Sequence, residues 1–100
     1  MELANETALT RFSQKHRDAA KWLAAWSAVV RAAEWRSIID VRADFRHADG
    51  VKVKSGAVVT VFNVRGNEYR LLTTINYESQ WVRVIDVMTH EEYDRDDWKG

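Results

Sequence analysis

Two segments in the second half of the chain alternate apolar and polar residues and predict a pair of antiparallel strands. Val58–Arg65 and Glu68–Tyr77 are rich in β-branched and aromatic residues, and Gly66-Asn67 separates them. Gly-Asn favours a two-residue hairpin turn because glycine adopts a positive φ without strain. That turn predicts a register in which Asn63 faces Arg70. The same register pairs Arg65 with Glu68, Val64 with Tyr69 and Phe62 with Leu71.

A third strand is predicted to follow a three-residue loop at Glu78–Gln80, and it pairs Tyr77 with Trp81 and Arg70 with Met88. Alternation then places seven residues on one face of the sheet, which we expect to be the core face. They are Phe62, Leu71, Thr73, Ile75, Trp81, Ile85 and Val87. Arg70 is expected on the opposite face.

A short polar helix is predicted where the third strand ends. Thr89 followed by Glu92 is a capping-box pattern, in which each side chain bonds the backbone N–H of the other residue. Because the third strand returns to the Gly66-Asn67 end, we expect His90 and Tyr93 to arrive at the same rim of the sheet as Arg70.

Helical periodicity dominates the first half of the chain. Thr7–His16 predicts one helix, and a second is expected to run to Ala33 with Asp18 as its N-cap. The second helix has a wide apolar stripe formed by Trp22, Leu23, Trp26, Val29 and Val30. We interpret its tryptophans as core residues beneath the sheet rather than as a base-stacking platform. Ser37 is a candidate cap for one further helical turn within Trp35–Ala43.

Val51–Lys54 alternates strictly and precedes a Ser-Gly turn signal, which predicts a strand pairing with Ala57–Thr60. This register pairs Lys52 with Val59 and Lys54 with Ala57. Both lysines are then expected on the face that carries Arg70.

These elements predict one α+β domain over residues 1–100, with two N-terminal helices packed on an antiparallel sheet of three to four strands and a short C-terminal helix. The chain is 46% hydrophobic and 30% charged, as is usual for a globular domain. It shows neither an apolar run of membrane-spanning length nor a signal-peptide pattern, and it has no cysteine. We therefore expect a cytoplasmic protein with no membrane partner.

The formal charge is zero overall but unevenly distributed. Residues 1–44 carry seven basic and six acidic side chains, residues 45–85 six and three, and residues 86–100 two and six. The strand region is thus mildly basic and the tail acidic. A dedicated nucleic-acid binder usually has a stronger basic footprint, so the neutral charge counts against contact with RNA. An acidic tail that folds away from the RNA path would reconcile the two.

Two motifs connect this chain to a known family. Phe62–Leu72 (FNVRGNEYRLL) followed by Thr89–Asp94 (THEEYD) resembles the HigB-type toxins of bacterial toxin–antitoxin pairs, within the RelE superfamily of mRNA-cleaving toxins. Ala33–Ser37 and Leu9–His16 fit the same pattern more loosely. The resemblance covers nearly the whole chain, and the two spaced motifs make it more specific than a hairpin signal alone.

The resemblance implies a RelE-like fold with an N-terminal strand near Glu2–Asn5. It implies cleavage of mRNA, free or on the ribosome, and inhibition by a helix-turn-helix (HigA-like) antitoxin through which the complex binds operator DNA. The site residues carried over are Asn63, Asn67, Arg70, His90 and Tyr93. Arg65 departs from the pattern because glycine is common at its position, and Glu68 stands where a basic residue is expected.

The chemistry of RNA cleavage suits three of these side chains. The 2′-OH of RNA can attack the adjacent phosphate without a metal, if proton transfers are assisted and the extra negative charge is stabilised. Arg70 matches a phosphate bidentately, His90 could act as acid or base, and Tyr93 can donate a proton or stack on a base. Residues expected to bind the substrate are Asn63, Arg65, Asn67, Lys52 and Lys54.

Each catalytic candidate also has a purely structural interpretation. Arg70 could pair with Glu92 or Asp86, His90 could be a solvated helix residue, and Tyr93 could pack on Met88. On that interpretation the chain is a non-catalytic module whose basic sheet face binds RNA or an acidic protein.

No metal or cofactor is expected from the sequence. The acidic C-terminal stretch matches neither the HExxH spacing nor a calcium loop, and no phosphate-binding glycine loop is present. His16 and His47 are interpreted as surface residues of a helix and a loop.

Overall fold

The computed structural model describes residues 1–99 and shows an α+β fold in which helices pack on a five-stranded mixed sheet. The strands are β1 (Glu2–Ala4), β2 (Asp49–Lys52), β3 (Val58–Val64), β4 (Tyr69–Asn76) and β5 (Trp81–Thr89). The helices are α1 (Thr7–Lys15), α2 (Arg17–Ala32), α3 (Ile38–Asp44) and α4 (His90–Asp94), and a 3-10 turn follows at Asp97–Lys99. None of the helices within residues 1–99 is long and apolar enough to cross a membrane.

The strand order is β1-β5-β4-β3-β2, with β1 parallel to β5 and the other neighbours antiparallel. The N-terminal strand implied by the resemblance is present, so five strands replace the predicted three to four. Asn5 has a φ of 65° and turns the chain from β1 into α1, while its Nδ2 donates to the carbonyl oxygen of Val84 at 2.8 Å. We call the sheet face that carries Phe62 the helix face, and the face that carries Arg70 the open face.

The predicted register of the central hairpin is confirmed. Phe62 faces Leu71, Asn63 faces Arg70 and Val64 faces Tyr69. The prediction of a two-residue turn at Gly66-Asn67 is wrong, because the turn spans Arg65–Glu68. Arg65 (φ 51°) and Gly66 (φ 69°) both adopt the left-handed conformation. Glycine, which the resemblance leads one to expect at the position of Arg65, would adopt the left-handed conformation without a steric penalty from Cβ.

The third strand pairs Arg70 with Met88 as predicted, but the ladder shifts by one residue further along. The shift lies between Leu72 and Thr73, where Ile85 of β5 is left without a partner. A β-bulge of this kind reverses which residues face the core beyond it.

Because of the bulge, the prediction of two residues as core residues is wrong. Ile85 is 44% exposed, and Trp81 pairs with Asn76 and lies outside the core. Val82 and Val84 are fully buried in their place. The loop before β5 therefore has four residues, Tyr77–Gln80, rather than three.

The strand that carries the lysines is displaced by one residue from the predicted register. It pairs Lys52 with Val58 and Val51 with Val59. Lys52 therefore projects on the helix face, and Lys54 lies beyond the end of β2, so the expectation that both lysines lie on the face that carries Arg70 is wrong. The cause is apolar burial, since Val51 and Val53 pack on the open face instead.

The main core lies between the helices and the helix face of the sheet. Leu23, Trp26 and Val30 of α2 are buried, and the Trp26 ring meets Phe62 edge-on at 5.4 Å. The tryptophan is a core residue, as interpreted from the sequence. Val29 is 37% exposed, so the buried stripe of α2 is narrower than predicted.

A second, smaller apolar cluster lies on the open face, which the sequence did not predict to be covered. Its buried members are Val59, Val61, Leu72 and Met88. Tyr93 and Trp98 from the C-terminal segment pack against them. This contact positions the C-terminal segment beside Arg70, so the acidic tail does not fold away from the face that carries Arg70.

Candidate functional site

Arg70 lies on the open face, one residue into β4. Its Nη1 donates to the carbonyl oxygen of Tyr69 at 3.1 Å, and its Nη2 donates to Asn67 Oδ1 at 3.3 Å. Asn63 is its cross-strand partner. The register and the turn thus bring a guanidinium and two amides together.

No carboxylate within residues 1–99 forms a salt bridge with Arg70. Its two candidate partners are engaged elsewhere: Glu92 accepts from the backbone N–H of Thr89 at 3.0 Å, and Asp86 accepts from that of Val87 at 2.8 Å. The interpretation of Arg70 as an ion-pair partner is therefore wrong. A guanidinium whose neighbours are neutral can form an ion pair with a phosphate.

Tyr93 contacts Arg70 from the C-terminal helix. The capping box between Thr89 and Glu92 is present as predicted and starts α4 beside the sheet. The Cζ atom of Arg70 lies 5.5 Å from the centroid of the Tyr93 ring, within the range of a cation–π contact. Burial raises the pKa of the Tyr93 phenol above 10.0, and the nearby charge of Asp49 raises it further.

His90 is anchored next to these groups by its backbone, whose N–H donates to the carbonyl oxygen of Glu68 at 3.1 Å. Its Nδ1 lies 2.9 Å from Asp94 Oδ2, one helical turn later. At this distance the carboxylate can accept a hydrogen bond from Nδ1–H, which leaves Nε2 without a partner among residues 1–99. Within residues 1–99, no hydrogen bond or ion pair joins the His90 side chain to Arg70 or Tyr93.

Three predicted substrate-binding residues do not contact this group. Arg65 turns toward α2, where its Nη1 lies 2.8 Å from an oxygen of Asp18 and 3.5 Å from one of Glu68. Lys52 lies on the helix face. Lys54 donates its backbone N–H to the carbonyl oxygen of Lys99 at 3.2 Å, and its side chain is exposed.

A separate polar cluster on the helix face corrects two further predictions. Asp18 is not the N-cap of α2 but lies in its first turn, where it accepts a hydrogen bond of 2.9 Å from the Tyr69 hydroxyl. This bond is the main cause that lowers the pKa of Asp18 and raises that of Tyr69. His16 is half-buried and stacks on Phe12 with ring centroids 4.3 Å apart, so it is only partly exposed at the surface. The exposed loop position of His47 is as predicted.

No group of three or more His, Cys, Asp or Glu side chains within residues 1–99 is arranged to hold a metal ion. The acidic side chains of the C-terminal segment are spread along its surface. Asp94 contacts His90, and Asp96 Oδ1 lies 3.2 Å from Lys99 Nζ.

Sequence reasoning missed three residues around the site. Trp98 stacks on Tyr93, Asp94 orients His90, and Asp49 lies close enough to influence the Tyr93 phenol. Trp98 could have been found from the sequence, because it is a large aromatic residue in an otherwise charged tail. The spacing of Asp94 four residues after His90 on a helix was a second usable signal.

Comparison with known proteins shows the family of the chain. A family model described as HigB_toxin, RelE-like toxic component of a toxin-antitoxin system, matches residues 19–96. The mRNA interferase toxin HigB of Escherichia coli (strain K12) is 31% identical over 94 residues, which cover 94% of this chain and 88% of that protein. Proteins named mRNA interferase HigB in Escherichia coli O157:H7 and Shigella flexneri match equally well. The chain therefore belongs to the HigB family of RelE-like toxins.

Proposed function

We propose that this chain is an endoribonuclease toxin that cleaves mRNA by attack of the substrate 2′-OH on the adjacent phosphate. Membership in the HigB family and the names of its relatives support the toxin activity and the mRNA substrate. The observation that carries the mechanism is the Arg70 guanidinium, which contacts Tyr93 and two neutral oxygens and forms no salt bridge with a carboxylate of residues 1–99.

Arg70 binds the scissile phosphate and stabilises the additional negative charge that develops as the 2′-oxygen attacks. A placed donor of this kind is worth about 10²–10³-fold in rate. Asn67 holds one guanidinium nitrogen through its Oδ1 at 3.3 Å and so restricts the orientation of the guanidinium. Asn63, on the paired strand, binds the adjacent RNA backbone.

His90 and Tyr93 carry the two proton transfers. The Asp94 carboxylate at Nδ1 supports His90 as the general base, which removes the 2′-OH proton through Nε2. The Tyr93 phenol carries a proton at neutral pH and its ring contacts Arg70, which supports Tyr93 as the donor to the departing 5′-oxygen. Base stacking is disfavoured for Tyr93, because the Trp98 ring already lies parallel to it. The chemistry requires no metal ion.

The substrate is mRNA bound to the ribosome. A chain with 15 basic and 15 acidic side chains has little long-range attraction for free RNA. The ribosome would supply the positioning that the toxin surface lacks. A helix-turn-helix antitoxin would inhibit the toxin and link it to operator DNA.

The alternative, a non-catalytic module with a basic sheet face, has less support. Its basic face depended on Lys52 lying beside Arg70, and the observed register places Lys52 on the helix face. The Asp94–His90 contact also has no function in simple binding.

The proposal is tested by expressing the parent chain, a His90→Ala variant and a His47→Ala control in bacteria and mapping mRNA ends. His47 is an exposed loop histidine, which makes it a matched control. The parent and the control should arrest growth and generate new mRNA ends, and co-expression of the antitoxin should abolish both effects. Growth arrest by the parent without new mRNA ends would contradict the enzymatic function.

A further inference from the structure

Trp98 makes two contacts with Tyr93 and lies outside the segment that the family model matches. The two rings stack with centroids 5.0 Å apart and an interplanar angle of 18°. The indole Nε1 also donates to the carbonyl oxygen of Tyr93 at 2.9 Å. One side chain therefore contacts both the ring and the backbone of Tyr93.

The turn that carries Trp98 is itself fixed to the fold. Asp96 has a φ of 63°, which reverses the chain after α4 and directs the turn back over Tyr93. The backbone N–H of Lys54 donates to the carbonyl oxygen of Lys99 at 3.2 Å, which ties the turn to the end of β2. The Lys99 ammonium lies 5.7 Å from the Trp98 ring and 3.2 Å from Asp96 Oδ1.

The helix that carries Tyr93 needs such support. α4 has five residues, and helices of this length are unstable without tertiary contacts. The capping box fixes its N-terminal end at Thr89, but Tyr93 lies at its other end. Trp98 supplies the contacts at that end and packs, with Tyr93, on the open-face cluster.

We propose that Trp98 is a positioning residue that holds the Tyr93 phenol beside the Arg70 guanidinium during RNA cleavage. The proposal rests on the proposed function, in which Tyr93 donates the proton to the departing oxygen. Trp98 does not act on RNA itself but fixes the orientation of the side chain that does.

The first test compares single-turnover cleavage by the parent, Trp98→Ala and Trp98→Phe. Trp98→Ala should lower kcat about 10- to 100-fold with KM changed less than about 3-fold, since misplacement by about 1 Å can cost about 10²-fold. Trp98→Phe keeps a stacking ring but loses the Nε1 hydrogen bond, so its kcat should lie between the other two. Thermal melts must show that each variant is folded at the assay temperature.

The second test shows whether Trp98 acts through Tyr93. In a double-mutant cycle, Trp98→Ala should have little further effect in a Tyr93→Phe background, because the hydroxyl that it positions is already absent. Equal losses in both backgrounds, or parental kcat in folded Trp98→Ala, would overturn the proposal.

A spectroscopic measurement separates this proposal from the proposed function. The Tyr93 phenol can be followed by NMR of ¹³C-labelled tyrosine, with its signal assigned by loss in Tyr93→Phe. Trp98→Ala should lower the pKa of Tyr93 toward 10.0, because it exposes the ring whose burial raises it. An unchanged titration would overturn the positioning role. A parent chain that cleaves no RNA but shows the shift would overturn only the proposed function.

Discussion

Replacing Arg70 separates a catalytic role from a structural one most clearly. In the folded chain the guanidinium makes two hydrogen bonds, at 3.1 and 3.3 Å, and one cation–π contact. At a half-exposed position these contacts contribute about 1–2 kcal/mol to folding stability. Arg70→Ala should therefore lower the melting temperature by about 5–10 °C, which leaves a domain of ordinary stability folded at 25 °C.

The effect of the same variant on catalysis should be larger. Loss of the donor that stabilises the charged phosphate should slow the chemical step about 10²–10³-fold, which corresponds to about 2.7–4 kcal/mol of transition-state stabilisation. Arg70→Lys keeps the charge but not the planar fork, so it should recover only part of the rate.

The assay is single-turnover cleavage of a defined mRNA at saturating concentration, beside a thermal melt of each variant. Arg83→Ala is the control, because Arg83 is an exposed arginine of β5 that pairs with Thr74 far from the site. The reasoning is refuted if folded Arg70→Ala cleaves within about 3-fold of the parent rate, or if Arg83→Ala loses as much activity as Arg70→Ala.

Three further outcomes follow from the structure. Thr89→Ala removes the capping box and should cost about 0.5–2 kcal/mol in a urea titration, with reduced activity because α4 loses its fixed start. The lowered pKa of Asp18 stabilises the folded chain. This contribution is fully present when the pH is above the ordinary pKa of 3.8, and it is lost as the pH falls through the folded-state pKa. Tyr69→Phe removes the main cause of that shift, so its melting temperature should fall less than that of the parent on acidification from about pH 5 to pH 3. Lys52→Ala should leave the salt dependence of RNA binding unchanged, whereas Arg70→Ala should reduce its slope.

Features set by local interactions could be predicted from the sequence. The Gly-Asn signal gave the correct pairing of Asn63 with Arg70, although the turn itself is longer. The capping box at Thr89 and Glu92 was also correct, because its two hydrogen bonds lie within one helical turn. These two local features place Arg70 and Tyr93 at the same rim.

Features set by distant contacts could not be predicted. The bulge at Ile85 has no local sequence signal, since an isoleucine in a strand is equally consistent with burial. The register of Lys52 depends on Val51 and Val53 packing on the open face, where Trp98 provides part of the cover. That cover comes from a segment more than forty residues later in the chain.

The chemical identity of the cleaved RNA ends tests the central claim most directly. The purified chain is incubated with ribosomes carrying a defined mRNA, and the new termini are identified by enzymatic end-labelling and mass spectrometry. Attack by the 2′-OH predicts a 2′,3′-cyclic phosphate or 3′-phosphate on one fragment and a 5′-hydroxyl on the other, with both lost in Arg70→Ala. Fragments with a 3′-hydroxyl and a 5′-phosphate, formed equally well by Arg70→Ala, would contradict the account.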